Sequence, residues 1–444
     1  MTVSLEKPRD PWSPRPIDLP SPVPLEPEEE LDVLDEAKIF AAPDDPAEWP
    51  AWRDTLERWR SEAAARSQYD GTAYDRPELA WTRRCFSVAL VWLWDELLYD
   101  YEARRFTPER FCAESEREFG GFDGVVLWHA YPVIGIDERN QFDYYRDVTA
   151  IRELVDAFHD RGVRVFVNYN PWDVGTRREP VDDDASVGAV VRELAADGVF
   201  LDTMKEARPE LRAALGPDVA LEGESTLPLA RIRDHHLSWA QWFADSRVPG
   251  VMRARWFEQR HMLHHTRRWN RSHREELHSA WLNGVGVLVW ENVFGAWVGW
   301  NERDKALLRA MLPVQRRHAE LLARGEWTPL AAHSEGLEVV GSRWSDGEHA
   351  LWALVNRTDH QFVGRVGELR LDLPPHGVAA ALGSPGNTVL QGEDELLVVA
   401  GGGDTTFPAR QAARVPAPLV RVDAVPDGFV AAPAPRPLTA AFRR

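Results

Sequence analysis

Asp197-Gly-Val-Phe-Leu-Asp202-Thr-Met204 is followed, after one helical stretch, by Pro217-Asp-Val-Ala-Leu-Glu222-Gly-Glu224-Ser225. Each segment is a short apolar run closed by an acid. Glu222 and Glu224 lie 20 and 22 residues beyond Asp202, and the gap between the two runs holds one helix, residues 207–215. This rhythm belongs to consecutive βα units of a parallel barrel, where the carboxyl ends of neighbouring strands converge on one mouth.

Outward from these two runs the same text recurs. Strand-like stretches at residues 86–95, 124–131 and 163–170 precede them, and stretches at 236–242, 251–256 and 284–292 follow. Helical spacing marks residues 44–66, 148–161 and 302–324. The expected fold is therefore α/β, a (β/α)8 TIM barrel over residues 31–325. After it the pattern becomes alternating. Leu337-Glu-Val-Val-Gly-Ser-Arg-Trp344 and Ala350-Leu-Trp-Ala-Leu-Val-Asn356 flank the turn Ser345-Asp-Gly-Glu348. Two alternating runs about Asp-Gly make a hairpin, so residues 326–405 are expected to form a C-terminal antiparallel β-sandwich. The Pro-rich first 30 residues, with their Glu run, read as a disordered arm. Residues 406–444, with Pro416, Pro418, Pro426, Pro433, Pro435 and Pro437, read as a linker or tail to a further domain or partner.

Charge and composition exclude several classes. The chain carries 71 acids against 52 Lys and Arg, a formal charge of −19, and has no basic block with interleaved aromatics, so nucleic acid is not an expected partner. Two cysteines, Cys85 and Cys112, are too few for a disulfide framework and lack metal-ligand spacing. The first residues lack the apolar core of a signal peptide, and no stretch reaches the roughly 18 apolar residues of a membrane span. A cytoplasmic protein away from membranes is the expectation. The 20 Trp outnumber the 17 Phe and 8 Tyr. Core packing accounts for most indoles, but flat faces also stack on the C–H faces of sugars. Trp94, Trp128, Trp172, Trp242 and Trp290, near strand ends, are the candidates for that use.

The strand-end acids are the candidates for chemistry, and a pair of carboxylates at one mouth suits the cleavage of a glycosidic bond. Asp202 is the candidate nucleophile: its carboxylate would attack an anomeric carbon and split one hard displacement into two easier ones. A helix cap, or a salt bridge to Lys205 or Arg208, is its structural alternative. Glu224 and Glu222, two apart on a strand, point to the same side, and either could donate the proton. Glu291 is a rival acid. Trp94, Asp95, His129, Tyr131, Asn168, Asn170, Trp172, Asp173, Arg255, Trp290 and Glu291 sit at or near strand ends and are the expected sugar-binding groups. His261 and His265 stand one helical turn apart, yet the intervening Glu of a zinc-protease motif is missing, so a helix face rather than a metal site is expected there. No phosphate loop, dinucleotide fingerprint or nucleophile elbow occurs, and neither cofactor nor metal is expected.

At these residues the chain resembles the barrel glycoside hydrolases acting on α-linked sugars, namely the α-amylase, α-glucosidase and α-galactosidase families. Asp197–Met204 is similar to their nucleophile strand. Pro217–Glu224 resembles the amylase-type fifth strand, whose Gly-Glu supplies the acid/base, and this favours Glu224 over Glu222. The amylase pattern places Arg two residues before the nucleophile, where this chain has Phe200, and a His-Asp pair late in the barrel, where it has Trp290-Glu291-Asn292. The resemblance implies a glycosidase or transglycosidase on a carbohydrate substrate, with a retaining two-carboxylate mechanism. A divalent-metal lyase or isomerase using Asp202, Glu222 or Glu224, and Glu291 is the main alternative. A non-catalytic carbohydrate-binding barrel is the other.

Overall fold

The computed structural model describes residues 19–26, 30–129, 138–146, 148, 150–172, 177–241, 245–266, 272–290 and 300–406, without the side chains of Gln241 and Trp290. Tyr131, Asp173, Trp242 and Glu291 lie outside the described residues.

Eight parallel strands close into a barrel. They are β1 (Ser87–Trp92), β2 (Gly124–Trp128), β3 (Arg164–Tyr169), β4 (Gly198–Leu201), β5 (Ala220–Gly223), β6 (Leu237–Gln241), β7 (Met262–Thr266) and β8 (Gly286–Trp290). Each pairs in parallel with its sequence neighbours, and β8 returns to β1. Helices buried on one face wrap the strands, so both faces of each strand are dry and the text reads as apolar runs without alternation. Among these helices are α1 (Trp49–Ser67), α2 (Pro108–Phe119), α3 (Ile151–His159), α4 (Asp183–Leu194) and α5 (Pro209–Leu215). After them come α6 (Arg253–Phe257), α7 (Arg274–Asn283), α8 (Glu302–Arg317) and α9 (Ala319–Arg324).

Seven strands fall where the sequence places them, and the seventh does not. Residues 251–256 form a two-residue strand, Val251–Met252, paired with Ile39–Phe40, and then enter α6. The barrel strand is instead Met-Leu-His-His-Thr, fully buried, which the histidine spacing had suggested to be helical. The physical reason lies in the partners: His264 is neutralised across the barrel by Glu222, and His265 is so desolvated that burial pushes its pKa down to about 3. Two core histidines thus occupy positions that an apolar count leaves blank.

The C-terminal sheet has the strand order β9 (Glu326–His333), β10 (Val339–Ser345), β11 (Ala350–Asn356), β14 (Val378–Gly383), β15 (Glu395–Ala400). A ribbon of β12 (Phe362–Val366) and β13 (Leu369–Leu373) covers one face, burying Trp352, Leu354, Ala379 and Ala381 beneath Phe362, Val366 and Leu371. Helix α7 holds the sheet to the barrel: the Trp281 indole donates to Ala379 O at 3.1 Å, and His278 Nε2 lies 2.9 Å from His376 O. Part of the amino-terminal arm is also ordered, against expectation. Ser21 N–H donates to Ile39 O at 2.8 Å, and Val23 and Leu25 pack on the core. No helix among the described residues is long and apolar enough to cross a membrane.

Candidate active site

The barrel interior is filled in layers. Phe200 on β4 stacks on Trp239 on β6 with centroids 4.6 Å apart. Glu222 on β5 reaches His264 on β7, Oε1 to Nδ1 2.6 Å, and His264 Nε2 continues to Cys85 O at 2.7 Å. In each pair the two strands are separated by a third, so these contacts cross the interior. Asp202 and Glu224 lie two residues beyond Phe200 and Glu222, each one residue past the carboxyl end of its strand.

Hydrogen bonds to the two residues that follow Asp202 hold Glu224 near it. The N–H of Thr203 donates to Glu224 Oε2, and the N–H of Glu224 donates to Met204 O at 2.9 Å. Thr203 N is covalently attached to Asp202, so standard bond lengths hold the two carboxyl carbons within about 8.5 Å of each other. Two local features make this approach. Thr203 has φ 64°, a left-handed conformation that a β-branched residue adopts at a cost of about 1–3 kcal/mol. A Cβ at Gly223 would stand 2.3 Å from Lys205 O, so only glycine lets the loop after Asp202 lie against β5.

Asp202 is 9% exposed. Asn168 Nδ2 donates to its Oδ2 at 3.3 Å. Burial pushes its carboxyl above the usual carboxylate range, while hydrogen bonds from the side chains of Asn168, Asn170 and Trp128, together with the charge of His129, pull it down. Asp202 does not cap the following helix, whose N-cap is Arg208, and Arg208 pairs with Asp184 at 2.7 Å. The supporting groups are themselves held. Tyr145 Oη donates to Leu127 O at 2.6 Å and accepts from Asn168 N–H at 2.8 Å, and His129 Nδ1 lies 3.2 Å from the same oxygen. Gln141 clamps Asn170 from both sides, Nε2 to Asn170 O at 2.8 Å and Oε1 to Asn170 N–H at 3.1 Å.

The remaining expectations divide. Trp172 is 78% exposed, and its backbone N–H donates to Asn170 Oδ1 at 2.9 Å, a residue whose side chain hydrogen-bonds Asp202. Trp128 is buried and meets Asp202 with its N–H, where a stacking face was expected. Glu222 is 0% exposed, and its carboxylate points to His264 rather than toward Asp202. Arg255 does not reach it either. It lies fully buried in α6, donating to the carbonyl oxygens of His261, Gly284 and Leu322. Asp95 shapes the turn after β1, its Oδ1 accepting from Leu97 N–H at 2.9 Å. Trp94 packs in an aromatic cluster with Tyr99 and Phe106. Gln141, Tyr145 and Thr203 were not singled out in the sequence. Gln141 and Tyr145 lie in the unpatterned run Asn140–Arg146, and Thr203 acts through its backbone.

No protein-family model matches the chain, and no curated protein matches it. Solved structures to which the chain is similar include AmyP in complex with maltose, at 12% identity and TM-score 0.41, covering 74% of this chain and 99% of that one. An α-amylase from Anoxybacillus matches at 10% and 0.41, covering 69% and 99%. A cyclomaltodextrinase matches at 12% and 0.43, covering 74% and 77%. At such identity and superposition, the chemistry of this chain is read from its own residues.

Proposed function

We propose that the protein is a retaining glycoside hydrolase or transglycosidase acting on α-linked sugars, with Asp202 as nucleophile and Glu224 as acid/base. The observation that supports this reading is the Thr203 N–H bridge, which ties the Glu224 carboxylate to the residue next to Asp202. Glycosidase carboxyl pairs lie about 5–9.5 Å apart, and the bound of about 8.5 Å is compatible with that range.

In this mechanism Glu224 protonates the glycosidic oxygen while Asp202 Oδ attacks the anomeric carbon, giving a glycosyl ester and the free leaving group. Glu224, now ionised, takes a proton from water or an acceptor hydroxyl, which displaces Asp202 and restores both groups. The donors around Asp202 hold one carboxylate rotamer and stabilise the ionised form in a dry setting. Trp172 offers a face for a sugar ring next to the reacting pair.

The metal-dependent alternative needs three acids on one ion. Of its candidate acids, Glu222 is turned toward His264, and Glu291 lies outside the described residues. The test uses α-glycosyl fluorides, whose leaving group needs no proton. Asp202→Asn is expected to lose turnover on every substrate. Glu224→Gln is expected to keep turnover of the fluorides, lose that of unactivated glycosides, and regain its second step with azide. Near-native rates in Asp202→Asn, with wild-type activity abolished by EDTA, would replace this reading with the metal enzyme.

A further inference from the structure

The residues that hold the asparagines beside Asp202 are themselves held by charge. Residues 140–146, between β2 and β3, carry one helical turn, Asp143–Arg146, and the chain after β3 supplies Arg177 and Glu179. Two ion pairs of opposite polarity cross between these segments. Glu179 accepts from both terminal nitrogens of Arg146, at 2.9 and 2.8 Å, and Arg177 Nη2 donates to both carboxylate oxygens of Asp143. Each carboxylate lies within 4 Å of both guanidinium groups. Asn140 closes the corner: its Nδ2 donates to Glu179 Oε1 at 2.6 Å, and its backbone N–H donates to Asp143 Oδ2 at 2.9 Å.

The carboxylates of Asp143 and Glu179 are buried, their side chains 5% and 4% exposed, while the two arginines reach solvent. Desolvation offsets most of the attraction in such pairs, so what they contribute is a single fixed arrangement more than stability. The arrangement fixed here bears on the site. Gln141 and Tyr145 stand among the braced residues; Gln141 clamps Asn170, and Tyr145 Oη accepts from Asn168 N–H. The side chains of both asparagines hydrogen-bond to Asp202.

We propose that Arg177 and Glu179 are positioning residues for Asp202: the crossed ion pairs set residues 140–146 against the segment after β3, and Gln141 and Tyr145 pass that setting to Asn170 and Asn168. The effect on rate rests on the reading of Asp202 as nucleophile, whereas the effect on its carboxyl group is measured without substrate.

Glu179→Gln keeps the shape of the side chain and removes its charge. Through space, loss of a negative charge favours ionised Asp202, whereas loosened asparagine donors disfavour it, so the direction of the change separates a field effect from positioning. Thermal melts across pH give the pH at which the stability difference between Asp202 and Asp202→Asn disappears, in the wild-type and Glu179→Gln backgrounds. It is expected to rise by roughly 0.5 pH unit in Glu179→Gln, the effect of weakening one hydrogen bond to a charged group. Glu179→Asp, which keeps the charge and shortens the arm, is expected to move it the same way and serves where Glu179→Gln fails to fold. An unchanged or lower value would overturn the inference. On an α-glycosyl fluoride that the wild type turns over, Glu179→Gln is expected to lower kcat about 10- to 100-fold with KM within about twofold, as misplaced reacting groups do. A loss confined to KM would count equally against it. A wild type without turnover would overturn the catalytic reading of Asp202, and the melts would still decide whether the ion pairs position its carboxyl group.

Discussion

Replacing His264 by Leu is the sharpest perturbation of the layer beneath the site. Burial alone lowers the His264 pKa, but the charge of Glu222 and the 2.6 Å hydrogen bond to it overcome that effect, and the imidazole ends above its ordinary value. The protonated imidazole is therefore favoured, and neither side chain of the pair has solvent contact. Its Nδ1–H is given to Glu222, its Nε2–H to Cys85 O, and Glu222 Oε2 has no partner. Removing one member of a buried pair costs about 3–5 kcal/mol, because the other charge is stranded. Glu222→Gln is milder, about 1–2 kcal/mol, since a neutral His264 still accepts from the amide. Removing both charges with Glu222→Leu/His264→Leu is expected to restore much of the His264→Leu loss. Denaturant unfolding at pH 7, followed by Trp fluorescence, reads all three. The sign with pH follows from the raised pKa: the stability that His264 contributes is full below the unfolded value near 6.5. It fades as pH rises through the folded value. Turnover of Glu222→Gln should stay within about tenfold of wild type. If both single variants stay within about 0.5 kcal/mol of wild type while Glu222→Gln loses more than about a thousandfold in kcat, Glu222 is the acid and the assignment to Glu224 fails.

Asn168→Ala or Asn170→Ala removes a hydrogen bond that lowers the Asp202 pKa, so the acid limb of kcat/KM should move to higher pH; a limb that stays in place contradicts the support given to Asp202. Asp202→Asn should raise stability at neutral pH by about 0.5–2 kcal/mol, since it removes a charge that burial disfavours. That gain should vanish as pH falls below the raised Asp202 pKa, and thermal melts at several pH values measure it. Trp172→Ala should raise KM about 3- to 10-fold with kcat within about twofold, as expected for a stacking face worth about 0.5–1.5 kcal/mol; an unchanged KM would make its exposure incidental.

The barrel was legible because strands dry on both faces write themselves as apolar runs, and an acid at the end of such a run marks the mouth. The same logic failed where the core is polar. Met262–Thr266 carries two histidines that are buried, one paired with Glu222 and one neutral, and neither registers as apolar. Arg255 misled for the converse reason: a guanidinium satisfied by three carbonyls is a core residue with a charged name. Parity alone put Glu222 and Glu224 on one side, but depth along the strand separates them, and depth depends on where the barrel closes. Thr203 was invisible because its contribution is a backbone N–H in a left-handed turn, while Gly223, which makes room for that turn, stood in the quoted motif without a stated reason.

Asp202 as the nucleophile is tested most directly by trapping the glycosyl ester. The enzyme is incubated with a ring-fluorinated α-glycosyl fluoride of a sugar that it turns over, digested at low pH, and the peptides are weighed. One added glycosyl mass is expected on the peptide that contains Asp202, absent from Asp202→Asn. Label on Glu222 or Glu224, or no label together with a product of inverted anomeric configuration, would contradict it.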